Sequence, residues 1–188
     1  MAGESVGKQS LHPGWVLAVL AVIVWHGINI SRVVSPNCLL SVCYVANLIL
    51  AAGILIRSGL LIGIGFGWAL IALPLWVVNA VVMGHILISS LALHLTGLCA
   101  GFMSLRYQTM PRWLVVVAIP VGLVPYLLGQ AFTDPQYNLN AAFRVQNGWQ
   151  SLFPDFHLYV LVQLVVYTVI FLILPTFSNR LIYVGDRT

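Results

Sequence analysis

The stretch that decides the fold runs from Leu60 to Leu105 and reads LLIGIGFGWALIALPLWVVNAVVMGHILISSLALHLTGLCAGFMSL. These 46 residues contain no Asp, Glu, Lys or Arg. A helix of roughly 20 apolar residues crosses a bilayer core about 30 Å thick, so the stretch is long enough for two consecutive membrane spans. The sequence therefore predicts a protein that is embedded in a membrane.

The composition of the whole chain agrees with this prediction. Of its 188 residues, 61% are hydrophobic and only 6% are charged, whereas about 25% are charged in ordinary soluble domains. The net charge is +4, but the basic residues stand singly at predicted helix ends, which is typical of a topology signal rather than of a nucleic-acid-binding patch. The three cysteines form no CxxC pair, so they indicate neither a zinc site nor a disulfide framework. We expect membrane lipids as partners, no nucleic acid, and no metal or other cofactor.

Apolar runs and the breakers between them predict an all-α fold, a polytopic membrane protein built as a six-transmembrane-helix bundle. The predicted transmembrane domain covers residues 14–177, between an N-terminal tail at 1–13 and a C-terminal tail at 178–188. The individual spans are predicted at residues 14–31, 37–56, 60–79, 81–105, 113–131 and 157–175.

The distribution of basic residues predicts the orientation of the bundle. With six spans, both termini lie on one side of the membrane. The opposite side carries only Arg32 and Arg144. Because cytoplasmic loops are enriched in Lys and Arg, both termini are predicted to be cytoplasmic. The basic residues on the predicted cytoplasmic side are Lys8, Arg57, Arg106, Arg112, Arg180 and Arg187.

Several polar side chains are predicted to lie at one depth, in the outward-facing half of the membrane. Cys43 lies about two turns below the predicted outer end of the second span, and His85 about one turn inside the fourth. Asn47 and Ser89 each follow one turn deeper on the same helix faces. Intramembrane polar residues often only hydrogen-bond a neighbouring helix. Ionisable groups there are costly, however, and mark functional sites more often than surface ones do.

The pairing of a cysteine with a histidine predicts a particular chemistry. A cysteine accepts an acyl group as the thiolate, and a histidine within hydrogen-bond reach can take its proton. Cys43 and His85 come from different spans at comparable depth, near the level of lipid ester bonds. The loop at 132–156 is rich in aromatic residues, which favour the membrane interface, so it is predicted to cover this region as a lid.

Short segments of the chain resemble the YwaF-like family of integral membrane proteins. The stretch LSVCYVANLILAAGILIR, from Leu40 to Arg57, is similar to the family's second span, which an L-x-x-C element opens. Gly84-His85 falls where the family carries a histidine early in a span. The resemblance covers roughly residues 40–177. Its other segments are FGWAL at 66–70, PYLLG at 125–129, Tyr137-Asn138, and Pro154 with Tyr159.

What the resemblance implies is a six-helix protein of a bacterial cell membrane with an embedded cysteine and histidine. Relatives of the family are proposed phospholipid acyltransferases that use such a pair. It implies that Cys43 and His85 are the catalytic pair of a lipid acyltransferase or hydrolase, although the acid that usually follows the family's cysteine is Tyr44 here. The residues then expected to contact substrate are Asn47, Asn79, Ser89, Tyr137, Asn138, His157 and Tyr159.

Two other classes of function remain open from the sequence. A noncatalytic accessory subunit of a larger membrane complex fits the small-residue pairs Gly63/Gly67 and Gly97/Gly101, which let helices approach closely. A small transporter is a third possibility, weakened because no predicted span contains a carboxylate. A haem-binding membrane protein belongs to the same group of alternatives. Its available ligands are His26, His85, His94 and His157.

Overall fold

All regular secondary structure in the described part of the protein is helical. The structure, a computed structural model, describes residues 13–84, 86–145 and 148–185, apart from the side chains at 13, 83, 137 and 181–185. These ranges contain no β-strand, so the predicted all-α fold is confirmed. The α-helices are α1 (Pro13–Val33), α2 (Val42–Leu55), α3 (Gly59–Met83), α4 (Ile88–Ser104), α5 (Leu114–Phe132) and α6 (Phe156–Gly185). Three short 3₁₀ helices join them at Pro36–Leu40, Pro135–Tyr137 and Leu139–Ala141.

Four of these helices, α1, α3, α5 and α6, are long and apolar enough to cross a membrane. The other two are apolar but shorter, with 14 residues in α2 and 17 in α4. Length and composition therefore support an integral membrane protein, and four of the six predicted spans correspond to helices that meet both criteria.

The second helix begins later than predicted. The span was expected from residue 37, but the chain first forms the 3₁₀ helix Pro36–Leu40, and α2 begins only at Val42. Ser41 caps α2, because its hydroxyl accepts a hydrogen bond from the backbone N–H of Tyr44 at 3.3 Å. Cys43 consequently lies in the first turn of α2, not two turns inside a longer helix.

The division between the third and fourth helices also differs from the prediction near Asn79. Helix α3 continues to Met83 and ends at Gly84, which has the left-handed conformation with φ of 67° that glycine adopts without strain. Helix α4 begins at Ile88 rather than at residue 81. His85 therefore precedes α4, and it lies outside the described residues. At the other end of the chain, α6 continues beyond the predicted end of the last span and into the predicted C-terminal tail.

Helix α3 is the central element of the bundle. In its membrane-spanning stretch 56% of the residues are buried, against 28% or less in α1, α5 and α6. At Gly65 its backbone contacts that of α2, since a Cβ atom there would lie 2.6 Å from the carbonyl oxygen of Ala46 and from the amide nitrogen of Leu50. Glycine is required at this position because the neighbouring atoms are backbone and cannot move aside.

Trp68 connects α3 to the helices on its other side. Its indole N–H donates to the carbonyl oxygen of Ala118 in α5 at 2.9 Å, and its ring packs directly over Gly122. The rings of Tyr167 and Phe171 in α6 lie 5.0 and 5.5 Å from the Trp68 ring, centroid to centroid. One buried side chain therefore holds three helices together, with its only polar atom hydrogen-bonded.

The glycines predicted to allow close helix approach all occupy such positions. Each lies against a side chain of a neighbouring helix at a distance that a Cβ atom would make too short. These pairs support close packing within the chain itself. They are Gly63 with Leu114, Gly67 with Phe171, Gly97 with Asn47, and Gly101 with Phe66.

The contact at Gly65 predicts a sharp difference between two glycine substitutions. We expect Gly65→Ala to destabilise the folded bundle by about 1–3 kcal/mol, because the methyl group would force the backbones of α2 and α3 apart. Gly129→Ala is the matched control, since the nearest atoms to its Cβ lie at 3.4 Å or more. The thermal midpoint of the detergent-purified protein measures both effects, and equal midpoints for the two variants would contradict the assignment.

Candidate functional site

A cavity of about 570 Å³ lies inside the helix bundle. Its upper part is lined by the segment between α5 and α6, and its deeper part by Trp68, Ile119 and Gly122. Its walls are predominantly apolar, with a limited number of polar side chains. This size and composition are typical of a small-molecule or lipid site. We refer to residues 135–145, which cover the upper part, as the roof.

The side chain of Asn140 fastens the roof to the bundle. Its Oδ1 accepts a hydrogen bond from the backbone N–H of Val42 at 2.8 Å. Its Nδ2 donates to the carbonyl oxygens of Leu40 and Pro125 at 3.1 and 2.9 Å. Asn140 has a φ of 57°, a left-handed conformation that asparagine tolerates better than most residues. One amide therefore satisfies polar backbone atoms before and at the start of α2 and in α5.

Four of the residues predicted for the site line this cavity together: Cys43, Asn79, Asn138 and Tyr159. They come from α2, α3, the roof and the first turn of α6, so the fold brings together residues that lie far apart in the sequence. Tyr159 is buried, with 2% of its surface exposed. Asn138 is also buried and belongs to the roof itself.

Three other predicted residues lie elsewhere. Asn47 is buried in α2, where its Nδ2 donates to the carbonyl oxygen of Cys43 at 2.8 Å. Ser89 in α4 pairs with His26 in α1, at 3.1 Å between Oγ and Nδ1. His157 is exposed in the first turn of α6. None of the three is among the lining residues, and the contacts of Asn47 and Ser89 are those of helix packing.

The predicted base is not placed by the structure. His85 lies outside the described residues, as does the side chain of Tyr137. The approach of His85 to Cys43 therefore stays a prediction. Two other histidines do line the cavity, His26 from α1 and His94 from α4.

His94 is held in a defined orientation. Its Nδ1 lies 2.8 Å from the carbonyl oxygen of Ser90, and its ring stacks on Trp76 with centroids 4.9 Å apart. A carbonyl oxygen only accepts hydrogen bonds, so Nδ1 carries the hydrogen, and the lone pair of the neutral ring lies on Nε2. That Nε2 atom is buried and has no hydrogen-bond partner among the described residues. His94 therefore lines the cavity and retains an unused acceptor on an atom that is itself buried.

Helix α6 contributes polar residues that the sequence analysis missed. Gln163 and Tyr167 line the cavity together with Tyr159. The three are spaced four residues apart and so share one helix face. Neither Gln163 nor Tyr167 forms a hydrogen bond with another residue that the structure describes. The signal in the sequence was a glutamine inside an apolar span, one turn away from a tyrosine on either side.

Two thiols line the cavity, and a third does not. Cys38 lies in the 3₁₀ helix before α2 and Cys43 in the first turn of α2, whereas Cys99 is exposed on α4. A thiol in such an apolar wall needs a nearby base before it can act as a nucleophile.

The charged and metal-binding groups of the site are few. Across residues 13–84, 86–145 and 148–185, no group of three or more His, Cys, Asp or Glu side chains is arranged to hold a metal ion. Arg144 lines the cavity, and none of the described acidic residues does so. Arg144 is therefore the one Arg, Lys, Asp or Glu among the described residues that line the cavity.

Comparison of the chain with family models, with curated proteins and with solved structures finds no match. The likeness to the YwaF-like family rests on the short segments quoted above and stays a prediction.

The contacts of Asn140 predict how the roof can be loosened. Asn140→Asp keeps the acceptor for Val42 but removes both donated hydrogen bonds and places a carboxylate beside two carbonyl oxygens. We expect maleimide to label Cys43 several times faster in this variant, measured in a background with Cys38 and Cys99 changed to Ser.

Asn37→Asp is the matched control for this experiment. Asn37 is exposed, and its Nδ2 donates to a single carbonyl oxygen, that of Phe132, at 3.2 Å. We expect its labelling rate to equal that of the unsubstituted background. The same increase in both variants would show that Asn140 has no special part in closing the cavity.

Proposed function

We propose that the protein is a membrane-embedded lipid acyltransferase or hydrolase in which Cys43 accepts the acyl group and His85 acts as the base. The observation that supports this proposal best is the position of Cys43. It lies in the wall of a largely apolar cavity, under a roof that is hydrogen-bonded to the start of the same helix. An acyl lipid is the class of substrate that such an apolar space suits.

In the proposed reaction Cys43 forms a thioester with the acyl chain. The base removes the thiol proton, and the sulfur attacks the carbonyl carbon of a lipid ester. The carbon–oxygen bond breaks, and the released alcohol takes the proton from the base. A second alcohol, or water, then attacks the thioester carbonyl and gives its proton to the base. The carbon–sulfur bond breaks, the new ester or the free acid leaves, and the thiolate recovers the proton.

The described side chains around the cavity supply groups that this chemistry needs. The carbonyl oxygen gains negative charge during each attack and is stabilised by hydrogen-bond donors. The hydroxyl of Tyr167 and the amide of Gln163 are donors without a partner in the described protein. His26 and His94 line the same space, and they are the alternatives to His85 as the base.

The proposal includes six membrane crossings with both termini in the cytoplasm. Helices α2 and α4 pack against α3, and both also contact α1. The 3₁₀ helix Pro36–Leu40 directly precedes α2, so the apolar helical path on that side is longer than α2 alone. These features support the two shorter helices as spans in addition to the four long ones, together with the distribution of basic residues.

Single cysteines test this topology. We expect Gly3→Cys and Ser151→Cys, each placed in a protein without its natural cysteines, to react with a membrane-impermeant maleimide from opposite sides. Ser151 is exposed in the segment before α6. Reaction of both cysteines from the same side of intact cells would contradict the odd number of crossings, five, that the proposed topology places between them.

The chemistry predicts which thiol becomes acylated. When the purified protein in nanodiscs is given a phospholipid with an alkyne-tagged acyl chain, we expect a hydroxylamine-sensitive label on the wild type and none on Cys43→Ser. Cys38→Ser is the matched control because it changes another thiol of the same cavity, and Cys99→Ser changes an exposed one. Both controls should retain the label, and His85→Ala should reduce it strongly.

A label that survives Cys43→Ser would overturn the assignment of the nucleophile. An accessory subunit would show a different pattern: no labelling of any form, and a fixed set of membrane proteins in every purification. Cys43→Ser would then leave that set of partners unchanged. These two patterns separate the enzyme from the subunit in one set of variants.

A further inference from the structure

Arg144 has an unusual position for a cation in this protein. Of the described arginines it alone lines the cavity. One of its guanidinium nitrogens donates to the carbonyl oxygen of Gln136 at 3.2 Å, and it forms no ion pair with a described residue. A guanidinium carries five N–H donors, so most of them remain available to a ligand.

The backbone at Arg144 is fixed by a second asparagine of the roof. The Oδ1 of Asn138 accepts hydrogen bonds from the backbone N–H groups of Phe143 and Arg144, at 3.1 and 3.0 Å. Its Nδ2 donates to the carbonyl oxygen of Arg144 at 3.0 Å. Asn138 is buried with a φ of 44°, so its side chain closes a compact loop. The backbone of the exposed Arg144 is therefore held at the cavity in advance of binding, which reduces the entropic cost of recognising a ligand.

The part of the cavity beneath the cationic Arg144 is apolar. Val33, Val34 and Leu139 line it near the roof, and Trp68 closes it at depth. None of the described acidic residues lies along it. Guanidinium groups bind carboxylates and phosphates through paired, charge-assisted hydrogen bonds. A long apolar cavity with one such group at its roof therefore complements a molecule that has an anionic head and an apolar tail.

We propose that the cavity binds an amphiphile with one acyl chain, whose carboxylate or phosphate pairs with Arg144 and whose chain extends towards Trp68. A volume of about 570 Å³ falls within the usual range for one small ligand, which favours one chain over two. The inference deepens the proposed function by naming a ligand class. The inference rests on the proposed function only for acyl transfer from the bound ligand, because binding at Arg144 does not require the Cys43 thiol.

Equilibrium binding to the full chain in phosphatidylcholine nanodiscs tests the proposal. The probes are radiolabelled oleate, oleoyl lysophosphatidic acid and oleyl alcohol, which share one chain and differ in the head group. We expect the wild type to bind at least one of the anions about tenfold more tightly than the alcohol. Arg144→Gln should remove that preference and leave the affinity for oleyl alcohol unchanged. Preference for oleate alone, for the lysophosphatidate alone, or for both identifies which anionic head group the site accepts.

Arg32→Gln is the matched control. Arg32 is exposed at the end of α1, it is predicted to lie on the same side of the membrane, and it does not line the cavity. Equal losses in the two arginine variants would show general attraction of anions to a positive surface and would overturn the site. A wild type that binds all three probes equally would also overturn it. Unchanged thermal midpoints exclude unfolding, and Arg144→Lys should restore part of the preference.

The variant Cys43→Ser separates this inference from the proposed function. We expect it to bind the anionic probe with wild-type affinity although it transfers no acyl group. If the wild type binds the anionic probe normally but is not acylated, the anion site is supported and the proposed enzymatic function is contradicted. If Cys43 is acylated but Arg144→Gln does not change the preference for the anionic probes, the enzymatic function is supported and the anion site is contradicted.

Discussion

The contact between the backbones of α2 and α3 at Gly65 is the constraint on which the rest of the structure depends. It fixes the central helix against α2 at a separation that admits no side chain. On the other side of α3, Trp68 then reaches α5 and α6 and also closes the deep end of the cavity. The position of the deep end of the cavity therefore follows from the packing of α3. We expect a change at Gly65 to shift the residues of α3 that line the cavity.

The roof illustrates the second constraint, which is that backbone polar groups in apolar surroundings need partners within the protein. Helices satisfy this need internally, but the first turn of α2 and the irregular segment before α6 do not. Asn140 satisfies the start of α2, and Asn138 satisfies the irregular segment before α6. Both residues have left-handed backbone conformations that place the side-chain amide against several main-chain atoms. The position of the roof is thus a consequence of these two side chains.

The sequence predicted the helical class and the four long helices because uninterrupted apolar runs leave few alternatives. It did not predict where α2 and α4 begin, since this depends on the cap at Ser41 and the left-handed Gly84 rather than on hydrophobicity. Cys43, Asn79, Asn138 and Tyr159 were predicted as site residues and do share a cavity. The part played by Asn140 was beyond sequence reasoning, because its partner Val42 lies 98 residues away in the chain. Gln163 and Tyr167 were accessible in principle, through their spacing on α6.

One hydrogen bond links the start of α2, which carries Cys43, to the roof, which carries Arg144. Asn140 of the roof accepts from the N–H of Val42, and the next residue is Cys43. Cys43 therefore lies next to a residue that the roof holds, and it lines the same cavity as Arg144. In a single-chain lipid ester, the ester group is near the head group and the apolar chain extends away from both. A head group bound at Arg144 would consequently bring an ester to the level of Cys43 while the chain occupies the apolar depth of the cavity. The late start of α2, which the sequence did not predict, places Cys43 in the first turn of that helix and next to the roof, rather than about two turns inside a longer span.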